Sequence, residues 1–191
     1  MIIRMIISLM VSATFAFAAD NAIDYRVLAT NKTSTMEKEL NQAADAGYRM
    51  EKVMGGKSLF GGSEVIVVMS KNKSATATPR YGYKLLATSK TSTMQKELQE
   101  AGNEGFSYKD QTVFDSTFGG DEVIVILELD RENKTKVRYE YKLLATSKTS
   151  TMQKELQEAG DAGFAFVGVT VSKTTFGGKE VVSILRKEIA Q

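Results

Sequence analysis

The chain has 191 residues, no cysteine, no histidine and a formal net charge of +2. This composition excludes disulfides, thiol and imidazole catalysis, and metal sites built on cysteine or histidine. The near-balanced charge leaves no footprint for nucleic acid.

The amino terminus reads as a processing signal. Arg4 supplies a basic start, residues 5–17 are mainly apolar, and Ala16-Phe17-Ala18 matches a cleavage site. The apolar run is shorter than the ~20 residues a spanning helix needs. Residues 1–18 are therefore expected to be a signal peptide cut after Ala18. Its removal would leave an exported chain, periplasmic or secreted, with no membrane span. Sequons stand at Asn31, Asn72 and Asn133, and matter only in a eukaryotic secretory pathway.

A 58-residue unit then follows three times. Tyr25, Tyr83 and Tyr141 open the copies, and residues 83–102 are identical to 141–160. Each copy carries a Phe-Gly-Gly-x-Glu segment near its end, starting at Phe60, Phe118 and Phe176. A repeat of this length marks one structural unit used several times. The copies are placed at 25–71, 81–129 and 139–188, with polar linkers at 72–80 and 130–138.

In the third copy, Tyr139, Tyr141, Leu143 and Ala145 alternate with Glu140, Lys142, Leu144 and Thr146, a strand period. Ser150 and Gln153 form a capping-box pattern, repeated as Ser34 with Glu37 and Ser92 with Gln95. Met152, Leu156 and Ala159 follow at helical spacing and predict one apolar stripe. Met36, Met94 and Met152 read as core residues. Gly47, Gly105 and Gly163 are expected to stop the helices in a left-handed turn. A β-branched strand, a Phe-Gly-Gly turn and a closing strand complete the unit.

The predicted class is α+β: three tandem β-α-β-β repeats, each a mainly antiparallel three-stranded sheet with one helix. A unit of fewer than ~50 residues is marginal alone. The three are therefore expected to dock with pseudo-symmetry, through the sheet faces that the helices leave bare. The charges point the same way. Residues 25–71 and 141–188 each hold seven basic and five acidic side chains, whereas 83–130 holds four and nine. Asp115, Asp121 and Glu128 stand where a basic residue stands in a neighbouring copy. An acidic middle unit can dock between basic neighbours.

The opening Tyr139-Glu-Tyr-Lys strand, the helix end Glu158-Ala-Gly-Asp-Ala-Gly-Phe164 and the closing Ile184-Leu-Arg-Lys-Glu188 resemble a small bacterial family of unknown function. Tyr48, Phe106 and Phe164 occupy the place where that family usually has tryptophan. The resemblance covers about 48 residues of each copy. It implies a compact β-α-β-β fold and no catalytic residue or cofactor.

The best candidate for ligand chemistry is Lys-Thr-Ser-Thr at each helix start: Lys32, Thr33, Ser34; Lys90, Thr91, Ser92; and Lys148, Thr149, Ser150. Free N–H groups and the helix dipole favour anions there, and Lys with hydroxyls can assist. The glycines of a phosphate-binding P-loop are missing. Asp110, Asp115, Asp121 and Glu122 form an acidic group conceivable for calcium, but their spacing fits no calcium loop. No catalytic constellation emerges. The expectation is an exported, non-enzymatic binding or scaffold protein, acting on an envelope protein or small ligand. Anion or metabolite binding at the Lys-Thr-Ser-Thr sites is the alternative; an enzyme using carboxylate or lysine chemistry is the remoter one.

Overall fold

A computed structural model describes residues 22–57, 63–116, 120–173 and 179–189. The expected signal peptide and the tips at Phe60, Phe118 and Phe176 lie outside them. Unit 1 comprises β1 (Ile23–Thr30), α1 (Thr33–Asp45), β2 (Arg49–Lys57) and β3 (Ser63–Asn72). Unit 2 comprises β4 (Tyr81–Thr88), α2 (Thr91–Asn103), β5 (Ser107–Ser116) and β6 (Gly120–Asp130). Unit 3 comprises β7 (Arg138–Thr146), α3 (Thr149–Asp161), β8 (Ala165–Lys173) and β9 (Lys179–Ile189). The fold is α+β, as expected, with one helix and one antiparallel three-stranded sheet in each unit.

The last strand of each unit lies in the centre of its sheet and runs antiparallel to both neighbours. The register repeats: Tyr25 faces Ser70, Tyr83 faces Glu128, and Tyr141 faces Arg186. A bulge recurs at the same place in the second strand, between Met50 and Lys52, Tyr108 and Asp110, and Phe166 and Gly168. Each helix ends as its glycine predicts. Gly47, Gly105 and Gly163 have φ of 86°, 91° and 85°, a region that L-residues avoid. In unit 1 the Tyr48 N–H reaches the Ala43 carbonyl and the Gly47 N–H reaches Ala44, a Schellman end.

The helix starts differ from expectation. Helices begin at Thr33, Thr91 and Thr149, so Lys32, Lys90 and Lys148 are the N-caps, and none makes a side-chain capping bond. The expected boxes of Ser34 with Glu37, Ser92 with Gln95 and Ser150 with Gln153 are not formed. Ser34, Ser92 and Ser150 are the second residue of their helices rather than the cap, in unit 3 as well as in units 1 and 2, and Glu37 and Gln95 are engaged by the next unit.

Two cores run across unit boundaries. In the first, Met36, Leu40 and Ala43 of α1 pack on Val65, Val67 and Met69 of β3, and Tyr83, Ile124 and Ile126 of unit 2 join them. In the second, Met94, Leu98 and Ala101 of α2 pack on Val123, Val125 and Leu127, and Tyr141 and Ile184 of unit 3 join them. Alternation along β6 sends Val123, Val125 and Leu127 to one face and Ile124 and Ile126 to the other. Both faces of this strand are thus buried, which explains its unbroken apolar run. The back of each following sheet closes over the helix side of the unit before it. Docking through the bare sheet faces is as expected, but the preceding helix is half of every joint. Each fully buried Ile contributes roughly 1.5–3 kcal/mol, enough to matter for units this small.

Candidate functional site

The residues that the fold concentrates most strongly are at the joints. β4 is an edge strand of its sheet, and an edge leaves a row of backbone groups unpaired. Helix α1 supplies the missing partners. Asn41 Nδ2 donates to the Tyr83 carbonyl at 2.9 Å, and the Tyr83 N–H donates to Asn41 Oδ1 at 3.0 Å. The Leu85 N–H donates to Glu37 Oε2 at 2.8 Å.

Helix α2 does the same for β7 with two glutamines one turn apart. Gln95 Nε2 donates to the Tyr141 carbonyl at 2.8 Å and Gln95 Oε1 accepts the Leu143 N–H at 2.8 Å. Gln99 Oε1 accepts the Tyr141 N–H at 3.0 Å and Gln99 Nε2 donates to the Tyr139 carbonyl at 3.2 Å. Spacing of four residues puts both amides on one helix face, and an amide matches the donor–acceptor alternation of a strand edge.

Charge reinforces the first joint. Arg49 of unit 1 reaches Glu128 of unit 2 with Nη2–Oε1 at 2.8 Å and Nε–Oε2 at 3.1 Å. The Glu128 side chain is 7% exposed. It also accepts the Tyr83 hydroxyl at 2.9 Å, and that hydroxyl oxygen accepts the Met50 N–H at 2.8 Å. Burial, above all, holds the Tyr83 phenol far above the usual tyrosine range. Beside it, Asp110 pairs with Lys52 at 3.0 Å and accepts the Val53 N–H at 2.9 Å. Thr112 Oγ1 accepts the Gly55 N–H at 2.6 Å. Acidic residues of the middle unit therefore do meet basic residues of unit 1. Glu128 is one of the reversed positions read in the sequence; the side chains of Asp115 and Asp121 lie outside the described ones.

At the second joint no such pair exists at the matching place. Arg186, which stands where Glu128 stands, lies instead over the Tyr139 ring, 4.6 Å from its centre. Gly168 stands where Asp110 stands and lets the Tyr108 hydroxyl come close; a β-carbon there would be 2.7 Å from Tyr108 Cζ.

The Lys-Thr-Ser-Thr sites are placed otherwise. Lys32, Ser34, Lys90, Ser92, Lys148, Thr149 and Ser150 are exposed, and Thr33 and Thr91 are half-buried. Thr30, Thr88 and Thr146 accept the N–H of Lys32, Lys90 and Lys148 and shape the turn before each helix. None of the nine candidates lines the cleft of about 470 Å³ beside the second linker. That cleft mixes Arg49, Arg131 and Arg138 with Glu128 and Asp130. Its carboxylates are already paired, Glu128 with Arg49 and Asp130 with Arg80 at 2.6 Å. Of the acidic group considered for calcium, Asp110 is used at the first joint. Among the described residues no group of three His, Cys, Asp or Glu could hold a metal ion. Among them, too, no helix is long and apolar enough to cross a membrane.

Sequence reasoning assigned Glu37 and Gln95 to helix caps and overlooked Asn41 and Gln99. The signal that could have found them is a polar i, i+4 pair beside the Met–Leu stripe in every copy: 37 and 41, 95 and 99, 153 and 157. Comparison of the chain with protein-family models, curated proteins and solved structures found no match.

Proposed function

We propose that the protein is an exported, non-enzymatic scaffold or binding module whose three units are stacked in one direction. The observation that carries this reading is the repeated joint. The same helix positions clasp the same strand positions twice in one chain, so surface features recur along a single docked body. Three similar surfaces held together gain avidity for a repetitive partner.

A second reading, small-anion binding, draws on one observation. The three helix starts carry no side-chain cap, which leaves N–H groups and the dipole available to an anion beside Lys32, Lys90 and Lys148.

Two measurements test these readings. Intact mass of the protein recovered from the envelope fraction of its host should equal residues 19–191; an unprocessed chain found only in the cytoplasm overturns export. Native mass spectrometry of the same sample reads the partner. A macromolecular partner retained by the Lys90→Ala, Lys148→Ala variant supports the scaffold. A small anionic ligand lost in that variant supports the second reading and overturns the first.

A further inference from the structure

The stack has two unlike ends, and each end presents one half of the joint already used twice inside the chain. At the carboxyl end, α3 repeats the α2 sequence residue for residue from Thr149 to Gly160. Gln153 and Gln157 therefore stand where Gln95 and Gln99 clasp β7, and both are exposed. The stripe beside them is uncovered. Met94 and Leu98 are 2% and 0% exposed, whereas Met152 and Leu156 are only half-buried. On the same side of unit 3, Phe166 is 53% exposed, while its counterpart Met50 in unit 1 is fully buried.

At the amino end, β1 stands where β4 and β7 are clasped. Tyr83 and Tyr141 are 4% and 3% exposed, but Tyr25 is 66% exposed. Val27 is 63% exposed and Met54 on the same sheet 59%. The register of β1 on β3 matches that of β4 on β6 and β7 on β9. Tyr25 and Val27 thus turn the same backbone groups outward that Tyr141 and Leu143 present to α2. The exposure of Tyr25 also shows that α3 of the same chain does not fold back to cover it.

We infer that a second copy of this chain is the occupant: α3 of one copy clasps β1 of the next through Gln153 and Gln157, continuing the stack between molecules. This rests on the scaffold reading and names its partner. Continuity with the internal joints is the argument. Every clasping side chain is identical to that of α2, and the recipient strand keeps the tyrosine and the register. No like charges face each other at the positions equivalent to the first joint's ion pairs: Ala165 with Ser70 stands for Arg49 with Glu128, and Gly168 with Lys52 for Lys52 with Asp110. Such a contact is heterologous, so it propagates head to tail into a filament or closes as a ring. An exposed apolar edge strand is otherwise a liability that proteins cover or charge.

Sedimentation analysis of the purified exported chain tests this, from about 1 µM to about 1 mM, the latter being the effective concentration that a short linker supplies inside one chain. The expected result is stepwise growth in whole multiples of the chain. Gln153→Ala with Gln157→Ala should weaken association at least about tenfold, the loss expected for several hydrogen bonds. Val27→Lys should do the same from the other end. Both changes are on exposed positions, and circular dichroism checks that each variant stays folded. Mixing the two variants leaves one intact half on each, so dimers should form and growth should stop there. A monomer over the whole range overturns the inference, as does association that survives both variants or a mixture that yields no dimer. A monomer leaves the wider scaffold reading standing, since that is decided by the native mass of the envelope sample.

Discussion

Gln95 Oε1 accepts the N–H of Leu143 at 2.8 Å, although the two residues belong to different units and lie 48 positions apart. One helical turn on, Gln99 repeats the contact at Tyr141. A side chain thereby finishes the edge of a sheet that its own unit does not contain.

This relationship predicts unequal costs for identical substitutions. Gln95→Ala with Gln99→Ala removes four bonds to the β7 edge and should cost about 2–6 kcal/mol, at about 0.5–1.5 kcal/mol net per bond. Gln153→Ala with Gln157→Ala, made in the same sequence context, should change the stability of the dilute chain by no more than about 0.5 kcal/mol. Urea midpoints at low protein concentration compare the two. Equal costs would mean that the amides do not work through the joint.

The ion pairs should separate in the same way. Arg49→Ala strands a Glu128 side chain that is 7% exposed, with only the Tyr83 hydroxyl and Lys109 at 3.6 Å left beside it. Arg49 is itself 50% exposed, so the loss should be about 1–3 kcal/mol, the cost of leaving a buried polar group without its partner. Arg80→Ala breaks a pair whose partners are 45% and 30% exposed, and should cost about 1 kcal/mol or less. Thermal unfolding of the two variants checks the order.

Two glycines in identical sequence should respond with opposite sign. At Gly102 a β-carbon would overlap the Tyr139 carbonyl and come within 2.9 Å of the Tyr141 ring. Gly102→Ala should therefore destabilise by about 1–3 kcal/mol, the usual cost of overpacking. At Gly160 nothing lies within 4 Å of the added carbon, so Gly160→Ala should stabilise by roughly 0.5–1 kcal/mol through helix propensity. The first joint admits Ala44 at this position, 1% exposed, so the two joints are not superposable there. Denaturant titration of both variants reads the signs.

Alkaline pH should open the joints. Burial is the largest cause raising the Tyr83 and Tyr141 phenols far above their ordinary value of 10.0, and Tyr108 moves the same way. Below that value both folded and unfolded chains keep the proton, and stability is unaffected. Above it the unfolded chain releases protons that the folded chain holds, so stability falls as pH rises. Each such phenol contributes up to about 1.4 kcal/mol per pH unit. Tyr141→Phe loses the hydroxyl bond to the Phe106 carbonyl but should flatten the alkaline slope. An unchanged slope in that variant would remove the buried phenol as the cause.

Much of the unit was legible in the residues themselves. Strand alternation around Tyr141, the Met–Leu stripe and the glycine stops each express a local rule, because period and left-handed φ depend on near neighbours. All three helices begin three residues after the threonine that shapes their turn, and all three end at the expected glycine. Gln95 was misread for the same reason. A capping box is a local bond, and in a sequence window it looks identical to a side chain waiting for a strand 48 residues away.

The sequence by itself determined a β-α-β-β unit, written three times, too small to stand alone and free of cysteine and histidine chemistry. Tertiary structure alone decided how the copies differ. Tyr25, Tyr83 and Tyr141 share a register, yet the first is exposed and the other two are buried. Gln95 and Gln153 share every neighbour in α2 and α3, yet only the first has a strand within reach. Local propensity is the same wherever the sequence is the same. Burial and edge pairing depend on what lies beyond the unit, and that depends on whether another unit follows.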